Sequence, residues 1–152
     1  MTLWLVTVLA GCNGPVYTNN GSAIPGGVPS RGNWTVSGGL QDLQAIADGN
    51  INTAATTARP PEPGTSLTID FGKVSMFNFV AIDHGLSPEG YVGQLAIMTS
   101  VDGRNYKLRH VTPGTRRVTT LSLVQPVMTQ YVRLVVREPG RRRWSVAEIY
   151  FQ

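Results

Sequence analysis

Polar and apolar positions alternate along this chain in short runs separated by turn residues. Ser66-Leu67-Thr68-Ile69-Asp70-Phe71 alternates with a period of two and predicts a half-buried strand closed by Gly72. Phe77 to Asp83 is apolar on both faces and predicts a central strand. Gln94 to Ser100 is a third, and the Asp102-Gly103 turn signal after it predicts that Tyr106 to Val111 returns as its hairpin partner. Val118 to Leu123 alternates again. Tyr131 to Arg137 puts Val132, Leu134 and Val136 on one face and Arg133 and Arg137 on the other. A last strand, Val146 to Phe151, puts Ala147, Ile149 and Phe151 on one face. Only Leu40 to Ala47 has the residues for a short helix. Six or seven strands with turn signals at a spacing of roughly 8–12 residues predict an all-β sandwich or barrel.

Composition supports this picture. The chain has 152 residues, the size of one domain, and 41% of them are hydrophobic, enough for one core. Its 17 glycines and 10 prolines are spread along the chain, as many short elements joined by turns require. The net charge is +4, and arginine dominates the thirteen basic residues. These cluster only at Arg116-Arg117 and Arg141-Arg142-Arg143, on no helical pattern and beside no nucleic-acid motif, so they read as a solvated basic face with no nucleic-acid partner.

The N-terminus reads as an address. Leu3 to Ala10 is an apolar run too short to span a bilayer, which takes roughly 20 residues, but suited to a secretory signal. It leads into Leu9-Ala10-Gly11-Cys12, which resembles the bacterial lipobox, and Cys12 is the only cysteine. The resemblance implies a signal peptide over residues 1–11, lipidation at Cys12, and a secreted protein anchored in a bacterial cell envelope by its lipid alone. The usual leading Lys or Arg is missing. Residues 12–33, rich in Gly, Asn, Ser, Thr and Pro, read as a flexible tether, and the folded domain is expected over 34–152.

The stretch Ala47-Asp48-Gly49-Asn50-Ile51-Asn52-Thr53 gathers carboxylate, amide and hydroxyl oxygens around a glycine. Such a loop suits a hard cation, but Asp-Gly-Asn is also an ordinary turn. No catalytic set is legible. There is no Gly-x-Ser-x-Gly elbow, no phosphate-binding glycine loop, and no zinc spacing around the two histidines, His84 and His110. A non-enzymatic role is expected.

The order of short motifs is more specific than any one of them. Ala47-Asp48-Gly49-Asn50-x-x-Thr53 is followed by Leu67-Thr68-Ile69-Asp70-Phe71-Gly72, Ser100-Val101-Asp102-Gly103-Arg104-Asn105-Tyr106, Gln130-Tyr131-Val132-Arg133-Leu134 and Ser145-Val146-Ala147-Glu148-Ile149. This series resembles the discoidin family, also called the coagulation factor V/VIII type C domain, a galactose-binding-like fold shared with family 32 carbohydrate-binding modules. The resemblance spans residues 34 to 152. It implies a jelly-roll β-sandwich with a structural calcium ion held by Asp48, Asn50, Thr53 and Glu148. Two family positions differ: Ala55 stands where the loop usually has Trp, and Tyr106 replaces the hairpin Trp. The paired terminal cysteines of many animal members are absent, which points to the bacterial, sugar-binding side of the family.

A sugar site needs an aromatic face and a few planar hydrogen-bonding groups. His84, Glu89 and Tyr91 lie within one loop and are the first candidates. Arg59, Arg104 and Trp144 follow, the last beside Arg141–Arg143. Trp34 reads as closing the core at the start of the domain. The expected role is non-catalytic binding of a glycan or surface polymer by a monomer. Docking of an envelope protein and binding of anionic lipid head groups are the alternatives.

Overall fold

In the computed structural model, which describes residues 16–17, 23–24 and 26–152, the chain is all-β. The strands in chain order are β1 (Val16–Tyr17), β2 (Ala23–Ile24), β3 (Thr35–Gly38), β4 (Ala55–Thr56), β5 (Ser66–Asp83), β6 (Gln94–Ser100), β7 (Lys107–Pro113), β8 (Val118–Glu138), β9 (Ser145–Val146) and β10 (Glu148–Phe151). Short 3-10 turns occupy Arg31–Asn33 and Leu43–Ala47. The second stands where a short helix was expected. The signal peptide, Cys12 and much of the expected tether lie outside the described residues. Contacts with the domain are already present at Gly26, whose carbonyl accepts a 3.1 Å bond from the Met76 N–H, and at Val28, which packs against the core.

The main sheet runs β10-β5-β8-β6-β7, with β3 also paired to β5, and every pairing is antiparallel. Two strands carry the architecture. β5 joins the two expected strands Ser66–Phe71 and Phe77–Asp83, and β8 joins Val118–Leu123 and Tyr131–Arg137. Their register shifts between Asp70 and Ser75 and again between Phe77 and Phe79. Gly72, read from sequence as a strand end, instead has φ +73° at the first shift and lets β5 bend and continue. On one side of the bends lie β3, β6 and β7; on the other lies β10. The halves form the two layers of a sandwich.

Alternation fills the space between them. Leu67, Ile69 and Phe71 from β5, Val132, Leu134 and Val136 from β8, and Ile149 from β10 are buried, as the period-two pattern predicts. Phe71, Phe77, Phe151 and Trp34 form an edge-on aromatic cluster with centroids 4.9–6.1 Å apart. Trp34 thus closes one end of the core, its indole N–H donating to the Pro29 carbonyl at 2.9 Å. The β6–β7 turn is held by Asp102, whose carboxylate accepts from the Arg104 and Asn105 amides, the Asn105 side chain and the Ser100 hydroxyl at 2.7–2.8 Å. These bonds hold the Asp102 carboxyl far below its ordinary range.

Candidate functional site: a double groove and an oxygen-rich loop

The loop leaving β5 builds one wall of a groove. The His84 N–H donates to the Arg117 carbonyl, and the Arg117 N–H donates to the Pro88 carbonyl, both at 2.9 Å. These two bonds hold Arg117 at φ +70°, a conformation costly for a side chain of this size. The opposite wall is the segment entering β9. It is stitched to the loop by the Ser145 N–H, which donates to the Gly90 carbonyl at 2.8 Å. Between the walls lies a concavity of about 650 Å³ floored and lined by Thr56, Leu86, Ser87, Glu89, Arg142 and Arg143, among others. A second concavity of about 540 Å³ adjoins it, lined by Tyr91, Gly93, Pro139, Gly140 and Arg141. The two share Glu89 and Arg142 as a common ridge.

His84 stands behind this groove and not in it. It is 1% exposed. Its Nδ1 lies 2.6 Å from the Ser145 carbonyl and its Nε2 lies 2.9 Å from the Thr119 hydroxyl. A carbonyl only accepts, so Nδ1 carries the proton and Nε2 accepts from Thr119. The Thr119 oxygen in turn accepts from the Thr115 N–H at 3.1 Å. Burial lowers the imidazole pKa, outweighing the bond to Ser145. The expectation that His84 contacts ligand is therefore corrected: both nitrogens are consumed by the scaffold.

The structure sorts the remaining candidates. Glu89 and Tyr91 line the grooves, with Glu89 ion-paired to Arg116 at 2.5 Å. Trp144 is fully buried in the core and has no face for a ligand, which corrects its assignment as a contact. Its backbone N–H donates to the Thr57 hydroxyl at 2.9 Å, fixing the start of β9 against the end of β4. Arg59 is exposed, loosely paired with Glu62 at 3.5 Å, and lines neither groove although Pro60 does. Arg104 sits on the β6–β7 turn, away from the other candidates. Sequence reasoning named Arg142 and Arg143 only as neighbours of Trp144, yet both line the groove themselves. The arginine run beside Trp144 was the available signal.

The second feature is the oxygen-rich loop. Asp48 accepts from the Thr53 hydroxyl at 2.6 Å and from the Asn50 N–H at 2.8 Å. These bonds lower the Asp48 pKa, with a smaller contribution from the positive charge of Arg31. Asn50 Oδ1 accepts from the Asn52 N–H at 3.0 Å. Glu148 lies on β10, which packs against the turn leading into Asp48. It is fully buried; Arg31 Nη1 donates to its Oε2, while Oε1 has no hydrogen-bond partner. An orphaned buried carboxylate oxygen beside an all-oxygen donor loop suits a hard cation. Among the described residues no three His, Cys, Asp or Glu side chains gather. A calcium ion here would rest on Asp48 and Glu148 for charge and on Asn50, Thr53 and backbone carbonyls for the rest.

Comparison with known proteins agrees with this architecture. Among solved structures, the chain is similar to the module CpGH89CBM32-5 from Clostridium perfringens, in complex with GalNAc-β-1,3-galactose, at TM-score 0.69 and 19% identity, covering 80% of this chain and 96% of that one. It is similar to the family 32 CBM from C. perfringens NanJ, in complex with galactose, at TM-score 0.68 and 20% identity, covering 80% and 95%. It is also similar to chitosan-binding module 1 from a chitosanase/glucanase of Paenibacillus sp. IK-5, at TM-score 0.64 and 18% identity, covering 78% and 91%. No curated protein matches the sequence. The family model described as F5/8 type C domain matches residues 29–149, most of the chain. With its bent two-layer sandwich and the motif series in order, the chain belongs to the F5/8 type C, or discoidin, domain family.

Proposed function

We propose that this domain is a non-catalytic module that binds a glycan or other surface polymer in the double groove between the His84–Gly90 loop and Arg141–Ser145. The observation that carries the reading is the groove itself, with polar groups at Ser87, Glu89 and Tyr91 set against Arg142 and Arg143. The sugars held by the two C. perfringens modules support it. Among the described residues Glu89 is the one carboxylate lining either groove, and it is paired to Arg116. Hydrolysis of a glycosidic bond generally takes two. The excess of arginine favours a ligand bearing carboxylate, sulfate or phosphate groups.

In this reading the domain is carried on a cell-envelope lipoprotein through Cys12, calcium at Asp48, Asn50, Thr53 and Glu148 stiffens the scaffold, and many tethered copies raise a weak single-site affinity. Labelling with a radioactive fatty acid, lost in Cys12→Ala, tests the anchor.

The binding test is affinity electrophoresis through gels containing galactose-rich neutral or uronate-rich acidic polysaccharide. Retardation by the acidic polymer, reduced in Arg142→Ala/Arg143→Ala without a change in melting temperature, is the expected result. Equal mobility of both proteins in every gel would overturn the reading and direct the search to protein partners.

A further inference from the structure

Arg31 lies in the stretch read from sequence as tether, yet it reaches the one fully buried carboxylate of the domain. Its Nη1 donates to Glu148 Oε2, across 117 residues of chain. Its guanidinium carbon sits 4.7 Å from the centre of the Tyr150 ring, so the same strand that presents Glu148 also provides an aromatic face for the cation. Its side chain is 31% exposed while that of Glu148 is 0% exposed. Arg31 therefore stands between solvent and the carboxylate. It also lies near enough to Asp48 to favour the ionised carboxylate there.

A buried carboxylate needs a counter-charge. Two are available to Glu148 in chemical terms, a divalent ion or a guanidinium. The guanidinium stays charged at every pH a folded protein meets and is not removed by a chelator. It uses one carboxylate oxygen and leaves Oε1 unsatisfied.

We propose that Arg31 is a resident counter-cation for Glu148, which keeps the domain folded without calcium and, by like-charge repulsion, weakens calcium at the Asp48–Thr53 loop. The affinity half of this statement rests on the calcium reading given above; the half concerning Glu148 does not. Arg31 takes Oε2 and leaves Oε1 as the carboxylate oxygen that a cation would use.

The test is thermal unfolding of the domain in chelator and in a calcium series, with calorimetric titration of calcium itself. Three proteins are compared: wild type, Arg31→Met, which keeps much of the stem without charge, and Arg31→Met/Glu148→Gln. In chelator, Arg31→Met is expected to melt below wild type, and the double variant to recover much of the loss because the charge to be neutralised is gone. With calcium, Arg31→Met is expected to gain more than wild type and to bind the ion more tightly, an effect abolished by Asp48→Ala. Arg31→Met melting like wild type in chelator, or no recovery in the double variant, would overturn the role at Glu148. Weaker calcium binding by Arg31→Met than by wild type would overturn the affinity half. Calcium binding to neither protein would remove the calcium reading and the affinity half together, while the chelator comparison still decides the role of Arg31.

Discussion

The ring of His84 and the backbone of Ser145 are joined by a 2.6 Å hydrogen bond, and that bond ties one wall of the groove to the other. Removing it leaves a buried carbonyl without its donor. Loss of one such partner costs about 1–3 kcal/mol. His84→Ala is expected to lower stability by at least that much in urea unfolding, and to lower ligand retention by loosening both walls.

The same residue sets a pH dependence. Burial keeps the folded-state pKa of His84 below its ordinary 6.5. Below that value the unfolded chain takes up a proton that the native chain refuses, so the unfolded state binds more protons and stability falls as pH falls. The contribution is whole above pH 6.5 and declines below it until the folded pKa is reached. Unfolding midpoints at pH 7.5 and 5.5 are expected to differ more in wild type than in His84→Gln, and an equal difference in both would remove His84 as the cause.

Gly90 is a close-approach position. A Cβ there would stand 2.6 Å from Ser145 Cβ and 3.0 Å from the Ser87 carbonyl oxygen. Both neighbours are part of the groove, so Gly90→Ala must part the walls. Overpacking of this kind costs about 1–3 kcal/mol. The melting temperature and the polysaccharide retention are expected to fall together, whereas a retained groove with normal affinity would show that the loop relaxes outward.

Asp102 organises its turn by accepting four hydrogen bonds. Because its folded pKa is lowered, its contribution is present above the unfolded value of 3.8 and is lost as pH falls through the folded one. Asp102→Ala is expected to speed amide hydrogen exchange at Arg104 and Asn105 while leaving the amides of β8 near wild type. Uniform acceleration across the sheet would mean that the turn is coupled to global unfolding.

Trp144 is expected to matter to stability alone. Truncating a buried Trp to Ala costs about 3–5 kcal/mol. Trp144→Phe, which refills most of the space, is expected to leave retention on polysaccharide unchanged per folded molecule. A specific loss of retention in that variant, with its melting temperature preserved, would return the indole to the binding site.

What was legible in the sequence was what neighbours along the chain decide. The inward face of Val132, Leu134 and Val136 follows from strand geometry, and the turn at Asp102-Gly103 follows from local chemistry. The continuity of β5 was not legible, because Gly72 marks a bend as readily as an end. Nor was β3, whose residues Thr35 to Gly38 carry a single core-facing side chain and are specified by pairing with β5. His84 looked like a ligand contact because it lies near Glu89 and Tyr91. Its burial depends on Thr119 and Ser145, 35 and 61 residues away. The partnership of Arg31 with Glu148 is invisible for the same reason.

The pairing of β5 with strands on both sides of it in sequence also sets the tempo of folding. Within the main sheet, β6 and β7 are the strands that pair as a local hairpin. β10 must find residues Val80–Asp83 of β5, and Trp144 must find Thr57, across long intervening loops. Closing such loops costs entropy before the contacts repay it, so a domain wired this way folds in milliseconds to seconds, slower than a helical bundle of its size. A ribosome-bound chain that ends before Glu148 has the hairpin but lacks the strand that covers the β5 edge. The sandwich closes only once β10 is available to pair with β5, whereas the β6–β7 hairpin depends on local pairing alone.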